Sequence, residues 1–262
     1  MSHESSLVAL APAALGRVEL KREARTSAIL DAAMVILAAE GHDALTLGRL
    51  AKALGYVPAA LYRYFDSKDA LLAALQRRAV SAIHAGLLDA SRALEPRIAG
   101  APPAVAAIAR LIGSARFYLA VPRTDPEAAF LVALLLGDPR PLPSDDESHR
   151  TAPLLLALLG GVAAMFQEAA GCSALSKGNS LERTLALWAT LTGALSLEKA
   201  RRIAPALPSS TEIGGAAVLA LLAGWGAAPR DLARASRLVA HETSRSKRDD
   251  SRRKNGARKA RA

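Results

Sequence analysis

The fold of this chain is decided by residues 46–75, TLGRLAKALGYVPAALYRYFDSKDALLAAL. Apolar residues at positions 47, 50, 51 and 54 share one face of a helix. Thr46 precedes that helix, where a hydroxyl can cap free backbone N–H groups, and Gly55 follows it, where a left-handed residue ends a helix. Pro58 suits the first position of a second helix, because its missing N–H would have no partner there. The stretch therefore predicts a helix, a tight turn and a second helix.

Two further helices are predicted on either side of this motif. Downstream, Asp66 or Ser67 can cap a helix that opens with residues 68–75, KDALLAAL. Upstream, residues 25–40 form an amphipathic helix that ends at Gly41. In a helix-turn-helix unit of this size the second helix is held outward, where it can enter the major groove of DNA. The pattern therefore predicts a small DNA-binding domain.

Residues 25–75 resemble the DNA-binding domain of TetR-type transcriptional regulators. The resemblance rests on Gly41, Thr46, Leu50-Ala51, Gly55-Tyr56, Leu61-Tyr62-Arg63-Tyr64-Phe65 and Ser67-Lys68-Asp69-Ala70-Leu71. It runs without a gap, and a random helical protein would rarely produce this order and spacing. It implies an all-α protein, with a three-helix helix-turn-helix DNA-binding domain followed by a helical-bundle domain for ligand binding and dimerisation.

The resemblance also implies which side chains meet the DNA backbone. Thr46, Tyr62 and Lys68 match family positions that hold DNA phosphates, and such contacts position a protein without reading sequence. Tyr64 matches a position that often touches the backbone. For the two tyrosines the alternative is ordinary packing of a short helix, and for Lys68 it is a solvated surface position.

The surface that would face the bases departs from the family pattern. Many members carry Ser or Thr and a Gly-Thr or Gly-Ser pair where this chain has Val57, Pro58, Ala59 and Ala60. Methyl groups can pack against thymine methyls, but they cannot hydrogen-bond to the edges of guanine or adenine. Arg63 is the only strong donor in this helix, and it can contact a guanine, a phosphate or an acidic side chain. Specificity is therefore expected to rest on few bases and on DNA shape.

The composition favours an all-α protein. Of the 262 residues, 51% are hydrophobic and 4% are aromatic, and the chain is rich in Ala and Leu with few β-branched runs. That length allows one or two domains with ample core. The single cysteine, Cys172, excludes an internal disulfide and indicates a reducing compartment. A small buried hydrophobe is its expected role.

Four segments are predicted along the chain. Residues 1–16 are interpreted as a flexible leader, since Glu4 stands where a signal peptide requires positive charge. Residues 17–67 form the TetR-type DNA-binding domain, and residues 68–242 form a helical regulatory and dimerisation domain. Residues 243–262 are expected to be a disordered basic tail, because from His241 onward nine Lys and Arg face three Asp and Glu. This tail either attracts DNA phosphate in a salt-sensitive way or only keeps the protein soluble.

The second domain is predicted to be helical throughout. Its helices are expected at residues 68–94, 105–120, 126–137, 149–170, 181–200, 211–225 and 231–242, with loops at residues 138–146 and 172–180. The uncharged residues 151–167 fall short of the roughly 20 apolar residues of a membrane span, so they are interpreted as part of a buried helix. By architecture alone, this domain resembles the regulatory domain of TetR-type proteins, which implies a small-molecule pocket and a dimer interface.

The candidate pocket consists of the larger side chains of this domain, with plain core packing as the alternative. They are Phe117, Tyr118, Phe130, Met165, Phe166 and Trp188. Such a lining would suit a small apolar or aromatic effector. Residues 181–200 and 211–225 are expected to pair with a second copy in a homodimer, with residues 214–217 (GGAA) allowing close approach; intramolecular core is the alternative. A homodimer suits a near-palindromic operator, because it presents two recognition helices one turn apart.

The sequence predicts no enzyme. It has no Gly-rich phosphate loop and no G-x-S-x-G motif, and its five histidines lack the spacing of metal ligands. No catalytic residue, cofactor, metal site or membrane segment is therefore assigned. The prediction is a cytoplasmic transcriptional regulator that binds a pseudo-palindromic operator in double-stranded DNA. A repressor released by a small apolar ligand is the first hypothesis, and a DNA-binding dimer or adaptor without a small-molecule ligand, regulated by a protein partner, is the alternative.

Overall fold

A computed structural model describes residues 11–137 and 145–240, which form helices joined by turns and loops, with no strand. The all-α prediction is confirmed. In chain order the helices are α1 (Ala11–Glu40), α2 (Leu47–Leu54), α3 (Pro58–Tyr62), α4 (Lys68–Ile98), α5 (Pro103–Thr124), α6 (Pro126–Gly137), α7 (Asp145–Gly171), α8 (Ser180–Ser196), α9 (Glu198–Ile203), α10 (Ser210–Gly224) and α11 (229–240).

The ends of α2, α3 and α4 follow the capping signals in the sequence. The Thr46 hydroxyl accepts a hydrogen bond from the backbone N–H of Arg49 at 3.1 Å and so caps α2. Gly55 ends α2 in the left-handed conformation, with φ of 68°. Pro58 opens α3 in its first turn, and the Ser67 hydroxyl accepts from a backbone N–H in the first turn of α4 at 3.0 Å. These caps fix the turn between α2 and α3, and the helix-turn-helix prediction is confirmed.

The chain folds as two compact units. Of the described residues, the first unit holds those up to Ala79 together with residues 130–151, and the second unit holds residues 80–129 and 152–240. The predicted boundary between residues 67 and 68 coincides with the start of α4, whereas the first unit extends further into that helix, to Ala79. Helix α1 begins at Ala11, inside the segment expected to be a flexible leader. Residues 1–10 and the predicted tail at residues 243–262 lie outside the described residues.

The core of the first unit joins α1 to the helix-turn-helix. Its buried apolar side chains come from the first four helices and from the turns between them, and include Ile29, Ala33, Ile36, Leu37, Leu45, Leu47, Leu50, Ala51, Leu61, Phe65, Leu71 and Leu75. Leu61 and Phe65 face inward together, as their spacing predicts, although α3 ends at Tyr62 and Phe65 lies beyond it. Because α3 has only five residues, the single buried Leu61 and the turn that follows hold it in place.

Helix α5 runs through the core of the second unit, and α8 and α10 pack against it. Gly214 of α10 marks the closest approach, since a Cβ there would lie 2.8 Å from a methyl of Leu119 on α5 and 3.4 Å from Ala194 on α8. We expected the glycine pair at residues 214–215 to serve contact with a second copy. Gly214 instead serves contacts within the chain, whereas a Cβ at Gly215 would meet nothing within 4 Å.

Helix α7 departs from expectation in two ways. It begins at Asp145, inside a predicted loop, of which residues 138–144 lie outside the described residues. It was also expected to be buried, and it is not. In the parts of the chain that the structure describes, α5 and residues 149–171 of α7 are both long and apolar enough to cross a membrane, but 61% of the apolar stretch is buried in α5 and only 11% in α7. Helix α5 is thus a core helix, whereas α7 exposes an apolar surface.

Candidate DNA-binding surface and effector cavity

Helix α3 turns nearly all of its side chains other than Leu61 towards solvent. Pro58 and Ala59 are exposed, Ala60 is half-buried, and Tyr62 keeps 54% of its surface accessible. Arg63, which follows as the C-terminal cap of α3, is also exposed. The exposed groups of α3 are therefore mostly apolar, with the phenol ring of Tyr62 and the guanidinium of Arg63 at its C-terminal end.

Thr46 lies at the start of α2, on the exposed side of the same motif. Its oxygen is already engaged as an acceptor in the helix cap, which leaves the hydroxyl proton available as a donor. Arg49, one turn further on, donates to both carboxylate oxygens of Glu40, at 2.6 and 3.2 Å. This two-point ion pair joins α2, three residues after Thr46, to the last residue of α1.

Lys68 and Tyr64 are less accessible than the other candidates. Lys68 is half-buried, and its ammonium group donates to the backbone carbonyl of His42 at 3.1 Å. The bond joins the first residue of α4 to the turn after α1, and it leaves two of the three ammonium protons for other acceptors. Tyr64 is half-buried beside Phe65. Lys68 therefore combines a structural contact with a positive charge at a helix N-terminus.

Three further exposed residues of the motif were not named as DNA contacts, although Val57 was expected on the surface that would face the bases. Tyr56 and Val57 occupy the turn between α2 and α3 and remain exposed, as does Lys52 in the last turn of α2. The signal for them was present in the sequence, since neither Tyr56 nor Val57 belongs to the apolar stripe of a helix. The exposed ring of Tyr56, in the turn between the two helices, is therefore accessible to a ligand.

An apolar cavity of about 60 Å³ lies within the second unit. Four helices line it, namely α4, α5, α7 and α8, through Ile83, Leu87, Ser114, Ala115, Phe117, Tyr118, Leu158, Leu159, Val162, Thr184, Leu187, Trp188 and Leu191. The structure brings three of the six candidate pocket residues to this lining, Phe117, Tyr118 and Trp188. The other ten lining residues are aliphatic or small and gave no sequence signal that separates them from core.

The other three candidates do not line the cavity. Phe166 is buried in the core of the second unit, where its ring packs edge-on against Trp225 with 5.3 Å between centroids. Met165 packs against the same core. Phe130, on α6, keeps 43% of its surface exposed and belongs to the first unit. Size alone could not distinguish these side chains from pocket residues, because helical spacing does not specify which gap a ring fills.

The polar atoms of the cavity wall are satisfied by one another or by the backbone. The indole N–H of Trp188 donates to the Tyr118 hydroxyl at 3.1 Å, and that hydroxyl lies 3.3 Å from the Thr192 hydroxyl. Ser114 and Thr184 each donate to a backbone carbonyl one helical turn earlier. The wall therefore presents hydrocarbon to a ligand, with the Tyr118 hydroxyl as its main polar point.

The ring of Phe117 connects the cavity to α4. It lies against Gly86, where a Cβ would approach the ring to 2.7 Å. Only a glycine leaves room for this ring against the backbone of α4. A ligand that displaces the Phe117 ring would therefore also change the contact between that ring and α4.

Ion pairs reinforce both units. Arg110 of α5 donates to Glu95 of α4 at 2.8 Å and to Glu168 of α7 at 2.6 Å, and its hydrogen bond holds the pKa of Glu95 below its usual value. In the first unit, Arg77 of α4 pairs with the buried carboxylate of Glu147 on α7. Glu147 lies in α7, just after the loop predicted at residues 138–146, and its carboxylate has a guanidinium partner 70 residues away in the chain.

The family comparison agrees with the geometry of the first unit. Residues 29–75 match the family described as bacterial regulatory proteins, tetR family. The match begins at Ile29, a buried residue of α1, and ends in the second turn of α4. No curated protein matches the chain significantly in sequence.

Solved structures share the fold over most of the chain. A TetR-family transcriptional regulator from Mesorhizobium loti aligns with a TM-score of 0.56 and 19% identity, over 78% of this chain and 98% of its own. The regulatory protein SCO4313 aligns with a TM-score of 0.53 and 27% identity, over 78% and 98%. RolR, solved with its ligand resorcinol, aligns with a TM-score of 0.54 and 15% identity, over 85% and 96%. The all-α architecture is therefore that of these regulators.

Proposed function

We propose that this chain, whose residues 29–75 form the DNA-binding domain of TetR-family transcriptional regulators, binds an operator as a cytoplasmic homodimer and represses transcription until a small apolar effector releases it. The observation that carries the DNA-binding part is the family match over a capped helix-turn-helix whose short α3 is exposed. Because α3 is exposed, it could enter a major groove without a rearrangement of the first unit.

Within this proposal, the motif divides into backbone contacts and base contacts. Thr46, Tyr62, Tyr64 and Lys68 would hold phosphates, with Lys68 supplying the only full charge among them. Pro58, Ala59 and Ala60 would pack against thymine methyls, and Arg63 would supply the one hydrogen-bonding group able to reach a guanine. Few bases would then be read directly, so DNA shape would carry part of the specificity.

The homodimer is supported by the exposed surfaces of α8 and α10, two neighbouring helices. Apart from Glu182 and Glu212 in the first turns, their exposed residues are small or apolar and include Leu185, Ala186, Ala189 and Gly193 on α8 and Ala216, Leu219, Ala220 and Ala223 on α10. Small side chains allow two helices to approach closely, and a two-fold interface buries the same patch on both copies. Each dimer would present two α3 helices to successive major grooves, about 34–36 Å apart.

The effector part rests on the cavity. Its wall is hydrocarbon with the Tyr118 hydroxyl as the main polar point, which suits an apolar or aromatic molecule with one hydrogen-bonding group. Its volume of about 60 Å³ is well below the roughly 150 Å³ that holds a benzene molecule, so an effector must enlarge it. A ligand that fits only an enlarged cavity favours a different conformer, and such differential affinity is what shifts a population.

Helix α4 would transmit that change. It contributes Ile83 and Leu87 to the cavity wall and Gly86 to the contact with Phe117. The same helix begins at Lys68, fifteen residues before Ile83 in the chain. A displacement of α4 at the cavity would therefore reach a candidate phosphate contact directly through a continuous helix.

The small cavity also favours a second candidate function. A DNA-binding dimer or adaptor that is regulated by a protein partner needs no cavity for a small molecule, and 60 Å³ leaves room for no aromatic ring in the present conformation. The two candidate functions can be distinguished by experiment, because no small molecule would release the adaptor from DNA.

The deciding experiment for DNA binding is selection from a random duplex pool with the full-length protein at near-physiological salt. Enrichment of a pseudo-palindrome would establish sequence-specific binding and give the half-site spacing. Bulk binding without enrichment, with a steep salt dependence, would contradict an operator-binding function.

The effector is tested on the selected operator with small aromatic molecules, beginning with resorcinol, the ligand of the structural neighbour RolR. Release from DNA should be accompanied by a change in tryptophan fluorescence, because Trp188 lines the cavity. Trp188→Phe, which keeps Trp225, should lose the fluorescence change. Absence of release by any member of an aromatic series, with intact operator binding, would favour the adaptor.

A further inference from the structure

Helix α7 presents an apolar surface that the second unit does not cover. It is as apolar as the core helix α5, yet only 11% of its apolar stretch is buried, against 61% in α5. The buried side of α7 is formed by Ala163, Phe166 and Ala169. The opposite side carries exposed Pro153, Leu156, Ala157, Gly160 and Ala164, which we call the α7 face. Monomeric soluble proteins rarely expose a continuous apolar surface of this length.

We propose that a second copy of this chain covers the α7 face, with the two α7 helices crossing antiparallel near Leu159 and Gly160. The inference rests on the proposed homodimer and extends its interface beyond α8 and α10. Three observations identify the second copy as the occupant, namely the area that a dimer requires, the position of the α7 face beside α8, and the charges at its two ends.

The first observation is area. Helices α8 and α10 have 17 and 15 residues, so their exposed sides offer a footprint of about 480 Å² at 1.5 Å per residue and 10 Å width. A standard stable interface buries about 800 Å² on each partner. Residues 152–171 of α7 would add about 300 Å² on the same reckoning. The α7 face therefore supplies the area that the other two helices lack.

The second observation is continuity with α8. The side-chain amide of Gln167, one turn after Ala164 on the exposed side, donates to the Ser180 hydroxyl at 3.3 Å. Ser180 begins α8, and the exposed Leu181 and Leu185 follow it. The α7 face thus borders the apolar surface of α8 rather than standing apart from it.

The third observation is charge. Arg150 and Glu168 lie nine residues on either side of Leu159, and their side chains are 62% and 52% exposed. An antiparallel crossing centred on Leu159 puts Arg150 of one copy opposite Glu168 of the second copy, twice per dimer. Between these residues the helix carries no charge, and Ala157, Gly160 and Ala164 lie three and four residues apart, which lets the backbones approach closely.

A lipid surface is the competing occupant, and the α7 face suits it less. Helices that lie in a membrane interface insert large apolar side chains such as Trp, Phe and Leu and carry Lys and Arg on the other side. The α7 face has one exposed Leu among small residues, and the opposite side of α7 is buried in the protein core. Close packing of helices, rather than insertion into lipid, is what small residues favour.

The test measures self-association of the full chain by sedimentation equilibrium. Ala164→Glu should raise the dimer dissociation constant about 100-fold or more, because each dimer would bury two unpaired charges. The control Ala85→Glu, an exposed alanine of α4, should change it less than about twofold. Circular dichroism of each variant confirms that it folds. Unchanged association of Ala164→Glu overturns the proposal.

Charge exchange gives an independent test. Arg150→Glu and Glu168→Arg should each weaken association, and the double variant should recover most of the loss. If the single variants weaken association only because they break the intrachain pairs with Glu147 and Arg110, the double variant will not regain affinity. A double variant that stays weak would therefore contradict the antiparallel crossing.

Two further outcomes separate this proposal from its premise. If Ala189→Glu on α8 dissociates the dimer and Ala164→Glu does not, the proposed homodimer stands and the α7 interface fails. If the wild-type chain is monomeric at tens of micromolar, the homodimer itself fails. Binding of the wild type, but not of Ala164→Glu, to vesicles of phosphatidylcholine and phosphatidylglycerol would assign the α7 face to a membrane and overturn the proposal.

Discussion

Lys68 and Tyr62 are both candidate phosphate ligands, but they differ in charge, and that difference can be measured. Lys68→Ala should reduce affinity for all DNA sequences and lower the slope of log affinity against log salt by about 1 per protomer. Tyr62→Phe should cost about 1 kcal/mol at all sequences and leave the slope unchanged, because a neutral hydroxyl releases no counterion. Fluorescence anisotropy with operator and scrambled duplexes at four salt concentrations measures both quantities.

A structural role of Lys68 needs its own control, because its ammonium also donates to the carbonyl of His42. Lys68→Met keeps most of the side-chain volume and removes the charge and the hydrogen bond. If thermal unfolding of this variant is unchanged while its salt slope falls, the contact is with DNA. If its stability falls and its salt slope does not, Lys68 acts only as a link between α4 and the turn after α1.

Arg63 is the residue that we propose to read a base directly. Arg63→Ala should relax the preference at one position of each half-site, at a cost of about 1–3 kcal/mol for the preferred base. Arg63→Lys should retain much of the affinity but lose two-point recognition of a guanine. Repeating the DNA selection with both variants tests this. A uniform loss across all sequences would show that Arg63 contacts phosphate instead.

At this scale the sequence predicted local contacts well and distant ones poorly. The caps by Thr46, Gly55 and Ser67 depend on neighbours within four residues, so the residue types alone predicted them. The bond from Lys68 to His42 spans 26 residues, and the pair of Arg77 and Glu147 spans 70. No spacing rule along the chain predicts such partners.

Among whole elements, α10 tests how closely helices of the second unit are packed. Gly214→Ala should lower the free energy of unfolding by about 1–3 kcal/mol, because its Cβ would overlap both methyls of Leu119. Gly215→Ala is the matched control in the same helix. It adds a methyl group to open space in the single chain, so it should be neutral or stabilising by up to about 1 kcal/mol. Urea unfolding of both variants checks the contrast, and equal effects would contradict this packing.

The first turn of α10 should also be sensitive to acid. The carboxylate of Glu212 accepts from Ser209 and that of Glu198 from Ser210, and these hydrogen bonds lower the pKa of both groups below 4.5. A group with a lowered pKa stabilises the folded state above its unfolded pKa and loses that contribution as the pH falls through its folded pKa. The stability difference between wild type and Glu212→Ala should therefore be present at pH 7 and disappear as the pH falls below about 4.5.

Urea unfolding at pH 7, 5 and 3.5 measures that difference. Glu19→Ala, an exposed glutamate of α1, controls for the general loss of a negative charge. A difference that persists unchanged at pH 3.5 would mean that the carboxylate of Glu212 does not stabilise α10.

Element boundaries followed from sequence where a cap or a proline marked them, as at Pro58 and Pro126. Whether a whole helix is buried could not be predicted from sequence in the same way. Residues 149–170 are uncharged over most of their length, and that composition is shared by core helices and interface helices. Only the packing of α5, α8 and α10 against one another reveals that α7 is left at the surface.

For the molecule as a whole, the cavity shows the limit of prediction from sequence. Its wall combines residues from four helices that are up to about 100 positions apart in the chain, and most of them are aliphatic residues that would equally suit a core. The aromatic residues pointed to the second unit but did not show which of them line the cavity. Phe117, Tyr118 and Trp188 line it, whereas Phe166 packs in the core. Which residues face a cavity depends on how complete helices pack.

The distribution of charge over the molecule leads to a final prediction. Residues 241–262 hold nine of the 34 Lys and Arg, a surplus of six positive charges over acidic residues in a chain of net charge +10. Deleting residues 243–262 should lower affinity for nonspecific duplex more than it lowers operator preference, and should reduce the salt slope, because the lost contacts would be with phosphates alone. Replacing the nine cationic residues by glutamine keeps the length and should reproduce the effect. An unchanged salt slope in both variants would make the tail a solubilising segment, whereas loss of operator preference would make it part of the sequence-reading surface.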